Sequence, residues 1–344
     1  MSMKAMLLKG VSDLRTEDSP LDFGEVPVPE PGPGEIVIRV TACGVCHTEM
    51  DEIEGRTPPP CYPVIPGHQV VGRVAVRGTG ADMHAPDERV GVAWIYRSCG
   101  KCNFCLSGNE NLCPEFRATG RDADGGYAEY MKVGEKYAYK IPDNIGDSEA
   151  APLLCAGAVG YRAIKLANIS NESPIGFTGF GASGHLSLKL VKHIYPDSPV
   201  YVFARSQEQR EFALELGADW AGDTGDDAPR KLAAVIDTTP VWKPIVEALK
   251  QLEPGGRLVI NAIRKEDVDK DYLQNLNYHE YMWMEKEIKS VANVSPGDVT
   301  EFLRLAGECS IKSKVEEYGL EDANRALVEL KKGNIKGAKV LKMV

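Results

Sequence analysis

Four cysteines, Cys99, Cys102, Cys105 and Cys113, follow one another as Cys-x2-Cys-x2-Cys-x7-Cys. That spacing folds four thiolates around one tetrahedral zinc and leaves no position open. Gly100, Gly108 and Asn109 supply the turns such a knuckle needs. A closed ion of this kind is structural and anchors a lobe, about residues 95–115. Disulfide pairing is the alternative. Close cysteines behind the opening MSMKAMLLKG, which has no apolar leader, point instead to metal and to a reducing, cytoplasmic setting. Among the other cysteines, Cys43 and Cys46 precede His47, Thr48 and Glu49. Pro66-Gly67-His68 lies 22 residues beyond Cys46, and Cys155 stands in Pro152-Leu-Leu-Cys155-Ala-Gly157. Two thiolates, an imidazole and an open fourth position make a catalytic zinc, a Lewis acid for an alcohol or carbonyl oxygen. Cys43, Cys61 and Cys309 read as small apolar packers.

A second chemistry is written in Gly179-Phe-Gly181-Ala-Ser-Gly184. This G-x-G-x-x-G follows a strand-like run and opens a helix-like one, the context of a dinucleotide turn. Its first glycine makes the tight turn, its second lets backbone approach a pyrophosphate, and its third packs helix on strand. The helix N-terminus offers N–H groups to the phosphates. An NAD site would place Asp or Glu about twenty residues on, where this chain has Ala204-Arg205-Ser206. Alanine removes the repulsion of a 2′-phosphate, Arg205 and Ser206 offer donors to it, and Arg210 stands one turn further on. The cofactor is therefore expected to be NADP rather than NAD. The plainer alternative is that Arg205 stacks on the adenine.

Positioning these groups requires two kinds of scaffold. Residues 1 to about 150 read as β-rich, with strands at Glu35–Thr41 and Val70–Val76 and dense proline and glycine between. Beyond that the chain alternates: strand Ile175–Gly179, helix Ser183–His193, strand Pro199–Phe203, helix Gln207–Leu216, strand Ala234–Asp237, strand Gly255–Asn261. The alternation predicts a parallel sheet with helices on both faces. One more helix, about Gly297–Cys309, and a strand near Ala338–Met343 close the chain. The 344 residues suit two domains. A formal charge of −10 without a basic run argues against nucleic acid and anionic membrane as partners, and no apolar stretch approaches the 18 residues of a membrane span.

Five motifs in this order, Gly44-Val-Cys46-His-Thr-Glu49, Gly67-His68, the four-cysteine run, Leu154-Cys155-Ala-Gly157 and the glycine turn, resemble the zinc-dependent alcohol dehydrogenases of the medium-chain dehydrogenase/reductase superfamily. The resemblance spans essentially the whole chain and lies closest to the microbial branch. It implies an α/β protein: a β-rich, partly open GroES-like barrel carrying the catalytic groups (1–155), a doubly wound Rossmann domain for the cofactor (156–293), and a return to the first domain (294–344). Two zinc ions per chain are implied. Cys46, His68 and Cys155 match the catalytic ligands and Cys99, Cys102, Cys105 and Cys113 the structural ones. Thr48 matches the hydroxyl that contacts the substrate alcohol and passes on its proton. Glu49 matches the carboxylate that orients the ligand histidine. His47 matches a basic residue at the cofactor pyrophosphate, and Trp94 an aromatic wall of the substrate pocket, though it also reads as a core aromatic. Homo-oligomers, dimer or tetramer, are usual in the family. Tyr278–Met284, rich in aromatics, reads as an oligomer contact or as core.

Gln69 stands where the family has glutamate after the ligand histidine, Asp51 where many members carry a relay histidine, and Ala204 where NAD-linked members carry an acid. Asp51 is accordingly a candidate to carry the proton towards solvent. The expected activity is oxidation of an alcohol or reduction of an aldehyde with a nicotinamide cofactor. A polyol or sugar dehydrogenase of the same superfamily and a non-catalytic NADP-binding sensor are the alternatives. His185 reads as a packed helix residue, Asp237 as either a cofactor contact or a turn cap, and Arg264-Lys265 as part of a solvated loop.

Overall fold

The computed structural model describes residues 1–309, 311–333 and 337–343. They form two compact units, Met1–Cys155 with Val294–Val344, and Ala156–Asn293.

The first unit opens with the antiparallel pair β1 (Ser2–Leu8) and β2 (Leu21–Pro27). Then come β3 (Glu35–Val45), β4 (Val70–Arg77), β5 (Arg89–Val92), β6 (Ile95–Arg97), β7 (Arg117–Ala118), β8 (Tyr130–Gly134) and β9 (Ala138–Lys140). The second unit contains β10 (Ile175–Thr178), β11 (Val200–Phe203), β12 (Trp220–Gly222), β13 (Leu232–Asp237), β14 (Leu252–Ile260) and β15 (Glu287–Ser290). The chain then returns to the first unit with β16 (Val315–Gly319) and β17 (Ala338–Lys342).

In the first unit a mixed sheet runs β16-β17-β3-β4-β5-β9, with β8 also on β3. The alternation of Glu35–Thr41 suggests a short half-buried strand, yet β3 continues to Val45 and is buried along most of its length. The extension comes from a pairing no local pattern displays. Residues Ala42–Val45 bond antiparallel to β17, nearly 300 residues away, while β8 covers the first half. Because β17 holds β3 to its last residue and β4 holds it as far as Cys43, Cys46 is presented at a fixed point.

In the second unit all six strands are parallel, in the order β12-β11-β10-β13-β14-β15. β10 and β11 are buried at every position, as strands covered on both faces must be. Helices Ala182–Ile194, Gln207–Glu215 and Lys243–Gln251 form the crossovers. Helix Ala156–Ala167 carries no start signal in the sequence, since Gly157 and Gly160 lower its intrinsic propensity.

Gly67 shows how tightly the first unit is built next to His68. Its φ is +98°, and a Cβ there would lie 2.4 Å from the ring of the buried Tyr127. Gly67→Ala combines a left-handed backbone with overpacking and is expected to cost about 2–4 kcal/mol. A thermal melt against the wild type, with zinc retention measured alongside, checks this.

Candidate active site

Helix His47–Ile53 begins where β3 ends, and its N-cap is Cys46. Glu49, in its first turn, is fully buried and uses both carboxylate oxygens. Oε2 accepts the Cys46 backbone N–H at 2.8 Å, and Oε1 lies 2.5 Å from Nδ1 of His68. One carboxylate thus closes the helix start and fixes the imidazole. His68 Nε2 is buried and makes no hydrogen bond within normal limits; it lies beside the Cys46 thiol. The Cys46 and Cys155 sulfurs are 3.9 Å apart, and the three ligand atoms lie within 4.8 Å of one another.

This donor set fits zinc. Two thiolates each about 2.3 Å from a tetrahedral ion lie about 3.8 Å apart, and an otherwise orphaned imidazole nitrogen faces the same point. The electrostatics around these residues run the same way. A hydrogen bond from Cys155, helped by His68, draws the Cys46 thiol well below its usual range against the cost of burial. The Cys46 thiolate and burial push Cys155 up. Burial disfavours a charged His68, but the Glu49 carboxylate and Cys46 together outweigh it and lift the imidazole well above normal. Burial raises Glu49, and the His68 charge partly offsets this.

The remaining candidates on this helix divide. Thr48 Oγ1 is 3.7 Å from the Cys46 sulfur, and His47 is exposed. Asp51 is buried and receives Arg56 Nε at 2.5 Å, while Arg56 also binds Glu54. The sequence reading missed Glu52, which is only 1% exposed, with both carboxylate oxygens lacking a hydrogen-bond partner. Burial and the neighbouring Glu49 charge push its carboxyl well up. Its spacing of three from Glu49 and four from Thr48, which shares their helix face, was the available signal. Trp94 is half-buried, packs 5.2 Å from Phe116 and lies under the Arg121 guanidinium. Gln69 is buried and lies against Gly44 of β3.

The four-cysteine lobe sits between β6 and β7. All four sulfurs lie within 4.8 Å of one another, with Cys102–Cys105 at 3.5 Å and Cys99–Cys105 at 3.9 Å. No cysteine of the chain is in a disulfide. Backbone N–H groups of Cys99, Cys102 and Glu115 point at the sulfurs of Cys113 and Cys99. Such bonds, from Lys101 and Cys102, hold the Cys99 thiol down at about 6, whereas burial lifts Cys113 to about 11.

In the second unit, Gly179 follows β10 with φ +76°, Gly181 caps helix Ala182–Ile194, and Gly184 lies 3.2 Å, measured from a built Cβ, from the Gly179 carbonyl. A Cβ on Gly181 would meet nothing within 4 Å, so the turn has an open face at the helix N-terminus, where the first N–H groups of a helix have no intrahelical partner. This cradle fits a pyrophosphate. After β11, Ser206 caps helix Gln207–Glu215 by accepting the Gln209 N–H, and Arg210 donates to the Ala204 and Arg205 carbonyls at 2.7 and 3.0 Å. Arg205 is exposed, and among the described residues its side chain is unengaged. Lys265 departs from the expected solvated loop: it is nearly buried and ion-paired to Asp237.

Comparison with known proteins gives the family. The family model of the alcohol dehydrogenase GroES-like domain matches residues 32–143. A probable alcohol dehydrogenase, AdhA, of Mycobacterium tuberculosis (strain CDC 1551 / Oshkosh) is 39% identical over 94% of this chain and 93% of its own. The chain belongs to the zinc-dependent alcohol dehydrogenases of the medium-chain dehydrogenase/reductase superfamily. Among solved structures, a cobalt- and zinc-bound thermostable alcohol dehydrogenase from Pyrobaculum aerophilum matches with TM-score 0.84, 25% identity and full coverage of both chains. Acetophenone reductase from Geotrichum candidum NBRC 4597, in complex with NAD, matches with TM-score 0.83 and 27% identity over 99% of this chain and 97% of its own. The enzyme is thus an NAD(P)-dependent alcohol oxidoreductase that uses zinc.

Glu49→Ala frees His68 to rotate and is expected to weaken zinc at the Cys46–His68–Cys155 cluster about 10–100-fold. Titration against a chromogenic chelator should show this loss while zinc on the four-cysteine lobe is retained.

Proposed function

We propose that the enzyme interconverts small alcohols and aldehydes with NADP as the preferred cofactor. The observation that carries the zinc chemistry is the convergence of Cys46, Cys155 and the unpartnered, buried Nε2 of His68 on one point. In this reading these three residues hold the catalytic ion, and Cys99, Cys102, Cys105 and Cys113 hold a second, structural one. When bound, the catalytic zinc supplies Lewis acidity to the substrate oxygen. The nicotinamide supplies or accepts the hydride.

The protein's own groups do the rest. Glu49 keeps Nδ1 of His68 engaged, so that only Nε2 faces the ligand point. Thr48, 3.7 Å from the Cys46 sulfur, passes the hydroxyl proton on or returns it to the product. Asp51 carries that proton towards solvent less directly than an unpaired group would, because Arg56 already binds its carboxylate. His47, exposed at the helix start, contributes positive charge to the cofactor pyrophosphate. Gly179, Gly181 and Gly184 receive the diphosphate in the turn.

The NADP preference rests on Arg205. Ser206 and Arg210 fix the end of β11 and the start of the next helix, leaving the Arg205 guanidinium free for a 2′-phosphate. Ser206 adds its hydroxyl at the same corner. The free thiols of both clusters suit a reducing compartment, the cytoplasm. Aldehyde reduction followed with NADPH and NADH, on zinc-loaded and zinc-stripped protein, tests the whole reading: turnover should need zinc and favour NADPH. Arg205→Ala should raise the KM for NADPH about 10–100-fold, the worth of a charge-assisted phosphate contact, and leave that for NADH nearly unchanged. An equal change with both cofactors would remove the phosphate role.

The enzyme is further proposed to be a homo-oligomer, a dimer or tetramer, joined through the second unit. β15 is an edge strand exposed at all four positions. Beside it Tyr278 and Trp283 are 65% and 57% exposed, and Ile288 on the strand is 46% exposed. An apolar patch next to an unpaired edge calls for a cover. Light scattering should give a multiple of the 37.5 kDa chain mass, and Ile288→Lys should shift the distribution towards monomer.

A further inference from the structure

The strand order of the second unit reverses between β10 and β13, the place where open parallel sheets bind dinucleotides. Asp237, the last residue of β13, is fully buried there. Its Oδ1 accepts from Thr178 Oγ1 of β10 at 2.6 Å and from Thr239 Oγ1 at 2.7 Å, and its Oδ2 accepts from Lys265 Nζ at 2.5 Å. Lys265 spends its other donors on the carbonyls of Thr239 at 2.7 Å and Val241 at 3.1 Å. An ammonium with three donors and three acceptors has nothing left for a ligand. It acts on structure alone.

What it holds is the segment against which the glycine turn rests. Thr238 donates its N–H to the Thr178 carbonyl at 2.9 Å, and its hydroxyl is shared between the Thr178 carbonyl at 3.0 Å and the Gly179 carbonyl at 3.3 Å. A Cβ on Gly179 would lie 2.8 Å from Thr239 Cγ2 and 2.9 Å from Thr238 Oγ1. The first glycine of the turn therefore has Thr238 and Thr239 directly against it, and Lys265 pins that pair from the loop after β14. A buried ion pair adds little stability over a well-packed apolar pair, and its attested use is to fix one arrangement among several. We infer that Lys265, through Asp237, is a positioning residue for the dinucleotide turn, so that cofactor affinity depends on it. This rests on the reading that the turn binds the nicotinamide dinucleotide.

Zinc-loaded, full-length wild type and variants would be titrated with NADPH and NADH by tryptophan fluorescence, with melting temperature and kcat at saturating cofactor measured in parallel. Lys265→Met is expected to raise the cofactor Kd at least about tenfold while kcat changes less than about threefold, and Lys265→Met with Asp237→Asn should bind better than Lys265→Met alone, because no unpaired charge is left buried. Lys265→Arg keeps the charge but cannot direct the same three donors, and should raise Kd by a smaller factor. If Lys265→Met does not fold, Lys265→Arg decides. A lowered melting temperature with an unchanged Kd in the folded variant would make the pair merely structural and overturn the inference. A wild type that binds neither cofactor would instead bring down the dinucleotide reading beneath it.

Discussion

The Glu49 carboxylate is the contact on which the first unit's site depends. It is buried, so each of its oxygens must be satisfied by the protein, and the two donors that satisfy it are the Cys46 backbone N–H and His68 Nδ1. These belong to segments more than twenty residues apart, the end of β3 and the loop before β4. Both are set by non-local pairing: β3 by β17 and β8, and His68 by a neighbouring Gly67 that has room only as glycine. The carboxylate converts those two placements into one orientation, with Nε2 aimed at the sulfurs. A glutamate here, one methylene longer than aspartate, still reaches both donors because Cys46 is the helix N-cap and Glu49 sits at its third position, the geometry of a capping box.

Charge balance explains why such a site wants a cation. Cys46 as thiolate, Glu49 and the buried Glu52 crowd three acidic groups around His68, and the molecule answers by redistributing protons. The Cys46 hydrogen bond pushes the Cys155 thiol up, burial pushes the Glu52 carboxyl up, and, against burial, the Glu49 and Cys46 groups lift His68. Cys46, Cys155 and His68 Nε2 would hold a divalent ion at one point, where its charge would offset this crowd, with both cysteines as thiolates. Gln69, lying against Gly44, adds no further negative charge to this crowd, whereas a carboxylate in its place would.

Much of this was legible in the sequence because it is carried by short spacings. Cys99 to Cys113 and Gly179 to Gly184 each lie within one turn or loop, so their residues meet whatever the rest of the chain does. The alternation from Ile175 to Asn261 reads as a parallel sheet for the same reason: every strand is a short apolar run whose partners are its sequence neighbours or nearly so. What sequence could not show depends on partners far along the chain. The extension of β3 to Val45 needs β17. The ion pair that engages Asp51 needs Arg56 to fold back over the end of its helix. Glu52 looks like one more charged residue on an exposed helix until tertiary packing buries it. Arg210 looks like a phosphate donor by type, and only the folded helix start reveals that backbone carbonyls already engage its guanidinium.

Lys265 is the sharpest case, since a basic pair after a strand ordinarily means a solvated loop. Its burial follows from Asp237, and Asp237 in turn from the reversal of strand order between β10 and β13. At that reversal the two chains leave the sheet in opposite directions and open a crevice. Polar groups at the strand ends there cannot all be satisfied by the sheet ladder. Thr178, Asp237 and Thr239 satisfy one another, and the charge left over requires a cation. The crevice that makes room for a dinucleotide thus also creates the need for Lys265, so the residue belongs to the same architectural consequence as the glycine turn it steadies.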